Sequence, residues 1–81
     1  MASAAIEACR SVTRSLLTRA DREDASVRLL RQALGYYWSV AIAAAPGAGL
    51  HAFREVRENP DSDAQWIVRE NLSKSRLKRL L

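Results

Sequence analysis

The sequence predicts an all-α protein of four or five helices joined by short polar turns, and three observations lead to this fold class. Apolar residues recur three and four positions apart through most of the 81-residue chain, which is the spacing of amphipathic helices. The breaks between these segments are short and rich in Asp, Asn, Pro or Gly, as turns between helices are. No segment needs to be a strand, because the β-prone run Tyr36–Val40 has helical patterns on both sides.

The first two periodic segments predict two long helices. The first runs from about Ser3 to Ala20, with apolar residues at helical spacing and no Gly or Pro inside it. The polar turn after it, Asp21–Asp24, supplies candidate N-caps for the second helix, which begins at about Asp24. The second pattern continues for about 20 residues through Gly35. Gly35 either ends one helix and starts another, or lets two helices pack closely.

Two shorter helices are predicted in the second half of the chain. The run Pro46–Gly49 breaks the second helix, and a third helix is expected from about Ala48 to Glu58. After a turn at Asn59-Pro60-Asp61, Ser62 and Gln65 have the spacing of a capping box for a fourth helix. Ser73 or Ser75 is a candidate cap for a last helix, and the apolar residues of that helix would be Leu77, Leu80 and Leu81.

The composition argues against several functional classes. One Cys and one His cannot form an intramolecular disulfide or a structural zinc site, so we expect no metal or other cofactor and a cytoplasmic location. The chain has no phosphate loop and no dinucleotide-binding motif, and Cys9 is expected to be a buried, inert thiol rather than a partner of His51. The longest nearly uncharged run, Gly35–Leu50, is too interrupted to span a membrane. We therefore expect no enzyme and no membrane protein.

Two segments resemble bacterial HEAT-repeat proteins. The run LGYYWSVAIAAAPGAG at residues 34–49 is similar to one recurring stretch, and DSDAQWIVRENLSKSRL at residues 61–77 is similar to its companion. The pair Ala64-Gln65 stands where the family usually has Val-Arg. Independently of the family, Asp24-Ala25 recurs as Asp63-Ala64 after 39 residues, a period typical of helical solenoids.

The resemblance implies a HEAT-like α-solenoid of about two repeats, made of antiparallel helix pairs, and a function in protein–protein interaction or scaffolding. The repeats would occupy residues 23–81, and residues 1–22 would form an N-terminal amphipathic helix that is a candidate cap. Because solenoids usually need about three repeats for stability, the chain is expected to be a fragment of a longer array, a homo-oligomer, or a small stand-alone remnant capped by its first helix.

The expected interaction surface combines aromatic and basic residues. Trp38 shares a stripe with Leu34 and Ile42 and should be buried, which leaves Tyr36 or Tyr37 exposed. Trp66 should be largely buried against the second or third helix, with Arg69 paired to Asp61 or Asp63 and Asn71 bonded to the backbone. The whole net charge of +4 lies in residues 72–81. The alternative function is therefore nucleic-acid binding through the basic C-terminus. The candidate surface residues are Tyr36, Tyr37, Arg69, Lys74, Arg76, Lys78 and Arg79.

Overall fold

The computed structural model describes residues 2–74 and residue 78, and it confirms an all-α protein. Four α-helices follow one another: α1 (Ala2–Leu17), α2 (Ala25–Ala44), α3 (Pro46–Arg57) and α4 (Ser62–Leu72). There is no strand in residues 2–74. No helix in the described part of the chain has both the length and the apolar character needed to cross a membrane. The last predicted helix, with Leu77, Leu80 and Leu81, lies outside the described residues apart from Lys78.

Helix α2 is the centre of the fold. It packs most extensively against α4 and also against α1 and α3, whereas α1 packs on α3 and touches α4 least. The core between the helices contains Trp38, Phe53, Leu16, Ile42 and Ile67, all fully buried. The rings of Trp38 and Phe53 lie 5.3 Å apart, and the indole nitrogen of Trp38 donates to the hydroxyl of the buried Thr13 at 3.0 Å. The predicted burial of Trp38 is confirmed.

Aspartate side chains cap the starts of α2 and α4. Asp24 accepts a hydrogen bond from the backbone of Ser26 at 2.9 Å, which confirms its predicted role. The predicted Ser62 cap is wrong, because Asp61 accepts from the backbone of Asp63 at 2.8 Å and Ser62 is the first helical residue. Gln65 does not complete a capping box but donates to the carbonyl of Asn59 at 2.6 Å. A carboxylate suits this position because its negative charge faces the positive end of the helix dipole.

Close packing explains two of the glycines. α2 is continuous through Gly35, where an added Cβ would lie 2.9 Å from the ring of Trp66, so this residue lets α4 approach α2. At Gly49 an added Cβ would lie 2.7 Å from the Cα of Ile42, so α3 also approaches α2 closely. The predicted break before α3 is confirmed, but α3 begins at Pro46 rather than at Ala48. Proline suits the first helical position because its missing N–H would have no partner there.

Candidate interaction surface

An apolar groove of about 340 Å³ runs between α1 and α2. The α1 side of the groove is formed by Ala5, Ala8, Cys9 and Val12. The α2 side is formed by Leu30, Ala33, Leu34, Tyr37, Val40 and Ala41. None of these side chains carries a charge, and the accessible surface of the groove is apolar. The groove therefore offers dispersion contacts and a favourable desolvation but no hydrogen-bonding partner.

The open face of α2 beside the groove is also apolar. Four large hydrophobic residues are exposed in the described chain, and all of them belong to α2: Leu29 (66%), Tyr36 (46%), Tyr37 (54%) and Val40 (39%). Leu29, Tyr36 and Val40 lie seven and eleven residues apart, so they share one side of the helix. The chain has no charged residue from Gln32 to Leu50, so this side of α2 is uncharged after Arg31, whereas Leu29 lies beside Glu23, Arg28 and Arg31. A contiguous exposed patch of this kind is a mark of an interaction site.

Helix α1 presents small residues to the groove and charged residues to other sides. Ala5 and Ala8 are exposed in the groove wall, whereas Ser11 and Ser15 line a neighbouring pocket with Glu7, Arg10 and Arg14. Its charged residues turn toward α3, where Arg14 lies 2.8 Å and Arg10 3.4 Å from the carboxylate of Glu55. These contacts lower the pKa of Glu55, chiefly through the hydrogen bond from Arg14. The ion pairs of α1 therefore lie away from the groove.

Of the predicted surface residues, both tyrosines are exposed, where one of the two was expected to be. Tyr36 and Tyr37 are both exposed, their rings meet edge to face at 5.4 Å, and Tyr37 lines the groove. The basic residues of the predicted surface do not line this groove. Arg69 is exposed on α4, which contributes no residue to the groove. Lys74 is partly buried after α4, Lys78 is exposed, and Arg76 and Arg79 lie outside the described residues.

The predicted partner of Asp61 and Asp63 is wrong. Neither Asp61 nor Asp63 is paired with Arg69. Instead Arg22 binds both of them, with nitrogen–oxygen distances of 3.0 Å to Asp61 and 2.6 Å to Asp63, while Arg31 binds Asp63 at 2.7 Å. The hydrogen bonds to Asp61 and Asp63 raise the pKa of Arg22 above its ordinary value. Arg22 also donates to the carbonyls of Leu17 and Arg19, both at 2.7 Å. This network fastens the α1–α2 turn to the start of α4.

Trp66 packs against α2, but it is less buried than predicted. Its ring lies over Gly35, and the guanidinium of Arg31 stacks on it 3.8 Å from the ring centroid. The side chain stays partly exposed because this flexible cation, rather than a further helix, covers the ring. The cation–π contact accounts for Trp66 without a ligand.

The described residues do not bring together the side chains of a catalytic or metal-binding site. Cys9 is buried in the wall of the groove, and burial raises the pKa of its thiol, as expected of an inert cysteine. His51 is exposed on α3, so the structure does not pair it with Cys9. Within residues 2–74 and at residue 78, no group of three His, Cys, Asp or Glu residues is placed to hold a metal ion. The groove between α1 and α2 is therefore the strongest candidate for a functional site.

Comparison with protein-family models, curated proteins and solved structures gives no match to this chain. The function must accordingly be inferred from the chain's own residues. Among these, the uncharged open face of α1 and α2 is the feature that the fold itself does not explain.

Proposed function

We propose that this chain is a non-enzymatic helical-repeat module that binds a protein through the groove between α1 and α2. The observation that carries the proposal is the uncharged face on which Tyr37 and Val40 remain exposed beside the groove. A solvated helix normally places charged residues on its outer side, whereas α2 has none after Arg31. A face of this composition is stabilised when another apolar surface covers it.

The chemistry of the groove favours an α-helix as its occupant. An extended peptide needs partners for its backbone N–H and C=O groups, and the apolar groove surface supplies none. A helix satisfies these groups internally and can lay an apolar side into a groove between two other helices. The absence of charged residues in the groove further requires an occupant whose facing side is uncharged.

The repeat architecture belongs to the same proposal. In it, α1 belongs to the first repeat instead of forming a separate cap before repeats at residues 23–81. The helices α1–α2 and α3–α4 are then two HEAT-like antiparallel pairs, with α2 equivalent to α4. The recurrence of Asp-Ala after 39 residues supports this pairing, and so do the extensive packing of α2 on α4 and the contact of α1 with α3. Stacked pairs bury their apolar faces on their neighbours, so the α1–α2 groove would be the open end of the stack.

A defined helical peptide tests the binding function. The probe is a fluorescently labelled amphipathic peptide of about five turns with Leu and Ala on one side and Glu and Lys on the others. We expect it to raise its fluorescence anisotropy when the chain is added. A second peptide with Gln in place of every Leu should not bind, because it has no apolar side to bury.

Two alanine variants show whether the peptide uses the groove. Ala8 lines the groove and Ala48 is exposed on α3, so Ala8→Glu and Ala48→Glu introduce the same charge at two exposed helical positions. Ala8→Glu should weaken peptide binding at least tenfold, whereas Ala48→Glu should leave it unchanged. Equal binding of the Leu and Gln peptides, or equal affinity of both variants, contradicts the proposed function.

A further inference from the structure

We infer that the occupant of the groove is a second copy of this chain, bound across a two-fold axis so that α2 of each copy packs on α1 of the other. This inference rests on the proposed function and names the partner. In a two-fold interface both copies use the same surface, so this surface must be complementary to itself.

The sizes of the exposed side chains meet this requirement. The large exposed residues at the groove, Tyr37 and Val40, both belong to α2. The exposed α1 residues that line the groove, Ala5 and Ala8, are small. A two-fold rotation therefore places the large α2 residues of each copy on the small α1 residues of the other copy. Small residues let helices approach closely, and large ones fill the groove between them.

The charge distribution permits self-association. Residues 1–71 contain nine basic and nine acidic residues, and the net charge of +4 comes from residues 72–81. The ten residues that line the groove include no charged residue, so two copies bury no like charges there. A partner of opposite charge gains no electrostatic advantage at this face, whereas a second neutral face meets no electrostatic penalty.

The size of the face is sufficient for a reversible dimer. Helix α1 has 16 residues. At 1.5 Å per residue it is about 24 Å long, and two helices side by side are about 20 Å wide. The face therefore covers roughly 500 Å² in each copy, or about 1,000 Å² in the pair, at the lower end of specific protein interfaces. We expect a reversible dimer whose population rises with protein concentration.

Sedimentation velocity of the full chain, from micromolar to near-millimolar concentration, measures this dimer. The wild-type chain should shift from monomer to dimer across that range. Ala8→Lys and Val40→Glu should each stay monomeric, because each buries two copies of one charge, and Ala48→Glu should dimerise like the wild type. Both changed positions are exposed, so we expect circular dichroism and urea unfolding to match the wild type.

Mixing the two variants tests the proposed geometry. An equimolar mixture of Ala8→Lys and Val40→Glu should restore the dimer, because Lys at 8 of one chain then meets Glu at 40 of the other and the second contact keeps its native Ala and Val. A monomeric mixture overturns the packing of α2 on α1. A wild-type chain that stays monomeric but still binds the Leu peptide overturns the dimer and leaves the proposed function standing. Failure of both experiments removes both.

Discussion

Asn71 illustrates at the residue scale how one buried polar side chain joins two helices. Its amide oxygen accepts from the backbone N–H of Ser39 at 2.8 Å, and its amide nitrogen donates to the carbonyls of Leu34 and Ile67 at 2.9 and 2.7 Å. The side chain is fully buried, so water cannot replace these partners. The predicted bond between Asn71 and the backbone is confirmed.

Replacing Asn71 with Ala should lower the free energy of unfolding by about 2–4 kcal/mol, because three buried hydrogen bonds between the helices and within α4 are lost. Urea denaturation followed by circular dichroism measures the loss. Ser73→Ala is the control, since the Ser73 hydroxyl bonds to the carbonyl of Glu70 on the surface and its removal should cost less than about 0.5 kcal/mol. Equal costs for the two variants would mean that the bonds of Asn71 contribute little to stability.

Asp61 should make the stability depend on pH in the acid range. Its hydrogen bond from Arg22 lowers its pKa from 3.8. The folded state binds the proton less tightly than the unfolded state, so this stabilisation is present above about pH 4 and is lost as the pH falls through the folded pKa.

Asp61→Asn keeps a capping side chain but removes the charge. It should cost about 1 kcal/mol at pH 7 and progressively less below pH 4. Urea denaturation at a series of pH values measures this difference, with Glu23→Gln as a control at an exposed acid of the neighbouring turn. A cost that stays constant from pH 7 to pH 2 would show that the charge of Asp61 contributes nothing.

The sequence pattern predicted which side chains are buried or exposed. It did not predict which charged residues pair with each other. Helical spacing correctly placed Trp38 in the core and left tyrosines exposed. It did not select Arg22 over Arg69 as the partner of Asp61, because the choice depends on which turn the fold brings next to the start of α4. The available signal was complementary charge, since Arg22 lies in one polar turn and Asp61 in the other.

At the element scale, two glycines of α3 should respond in opposite ways to the same substitution. An added Cβ at Gly47 meets nothing within 4 Å, whereas one at Gly49 would lie 2.7 Å from the backbone of Ile42. Gly47→Ala should raise the free energy of unfolding by about 0.5 kcal/mol, because it restricts the unfolded chain. Gly49→Ala should lower it by about 1–3 kcal/mol, because α2 and α3 must move apart.

Thermal unfolding of both alanine variants measures these changes, and each variant controls for the helix propensity of the other. If Gly49→Ala were as stable as Gly47→Ala, the approach of α3 to α2 would not constrain the fold.

The four helices described here were predictable because each has a strong period and a turn signal beside it. Their ends were less predictable where tertiary contacts intervene. Helix α1 ends at Leu17 rather than at Ala20, and the carbonyls of Leu17 and Arg19 accept hydrogen bonds from Arg22. Arg22 thus supplies hydrogen-bond partners for carbonyls at the end of α1, so these carbonyls do not need a further helical turn. Helix propensity depends on neighbouring residues and cannot predict this contact.

At the scale of the whole molecule, the concentration of charge in residues 72–81 tests the nucleic-acid alternative. Lys74, Arg76, Lys78 and Arg79 supply the entire net charge of +4. If they bind phosphates, a chain ending at Ser73 should lose its affinity for a fluorescent single-stranded DNA, and the affinity of the full chain should fall steeply with salt. Fluorescence anisotropy at several salt concentrations measures both effects. No binding of the full chain at low salt would rule the alternative out.

The groove was the part of the molecule that sequence reasoning missed. It exists only because α1 and α2 lie side by side, and no pattern within either helix specifies which neighbour each will have. A signal was nevertheless present, since the uncharged stretch from Gln32 to Leu50 is longer than the buried side of one helix requires. Two of its exposed members, Tyr37 and Val40, line the groove.

The position of Cys9 gives the groove a built-in chemical reporter. This thiol is the only one in the chain, it lies in the groove wall, and it is 8% exposed. Because the thiolate is the reactive form and burial raises the thiol's pKa, alkylation should be slow, and anything that fills the groove should slow it further. The alkylation rate of the native chain therefore reports how often the groove is open, and mass spectrometry can follow it without any engineered label.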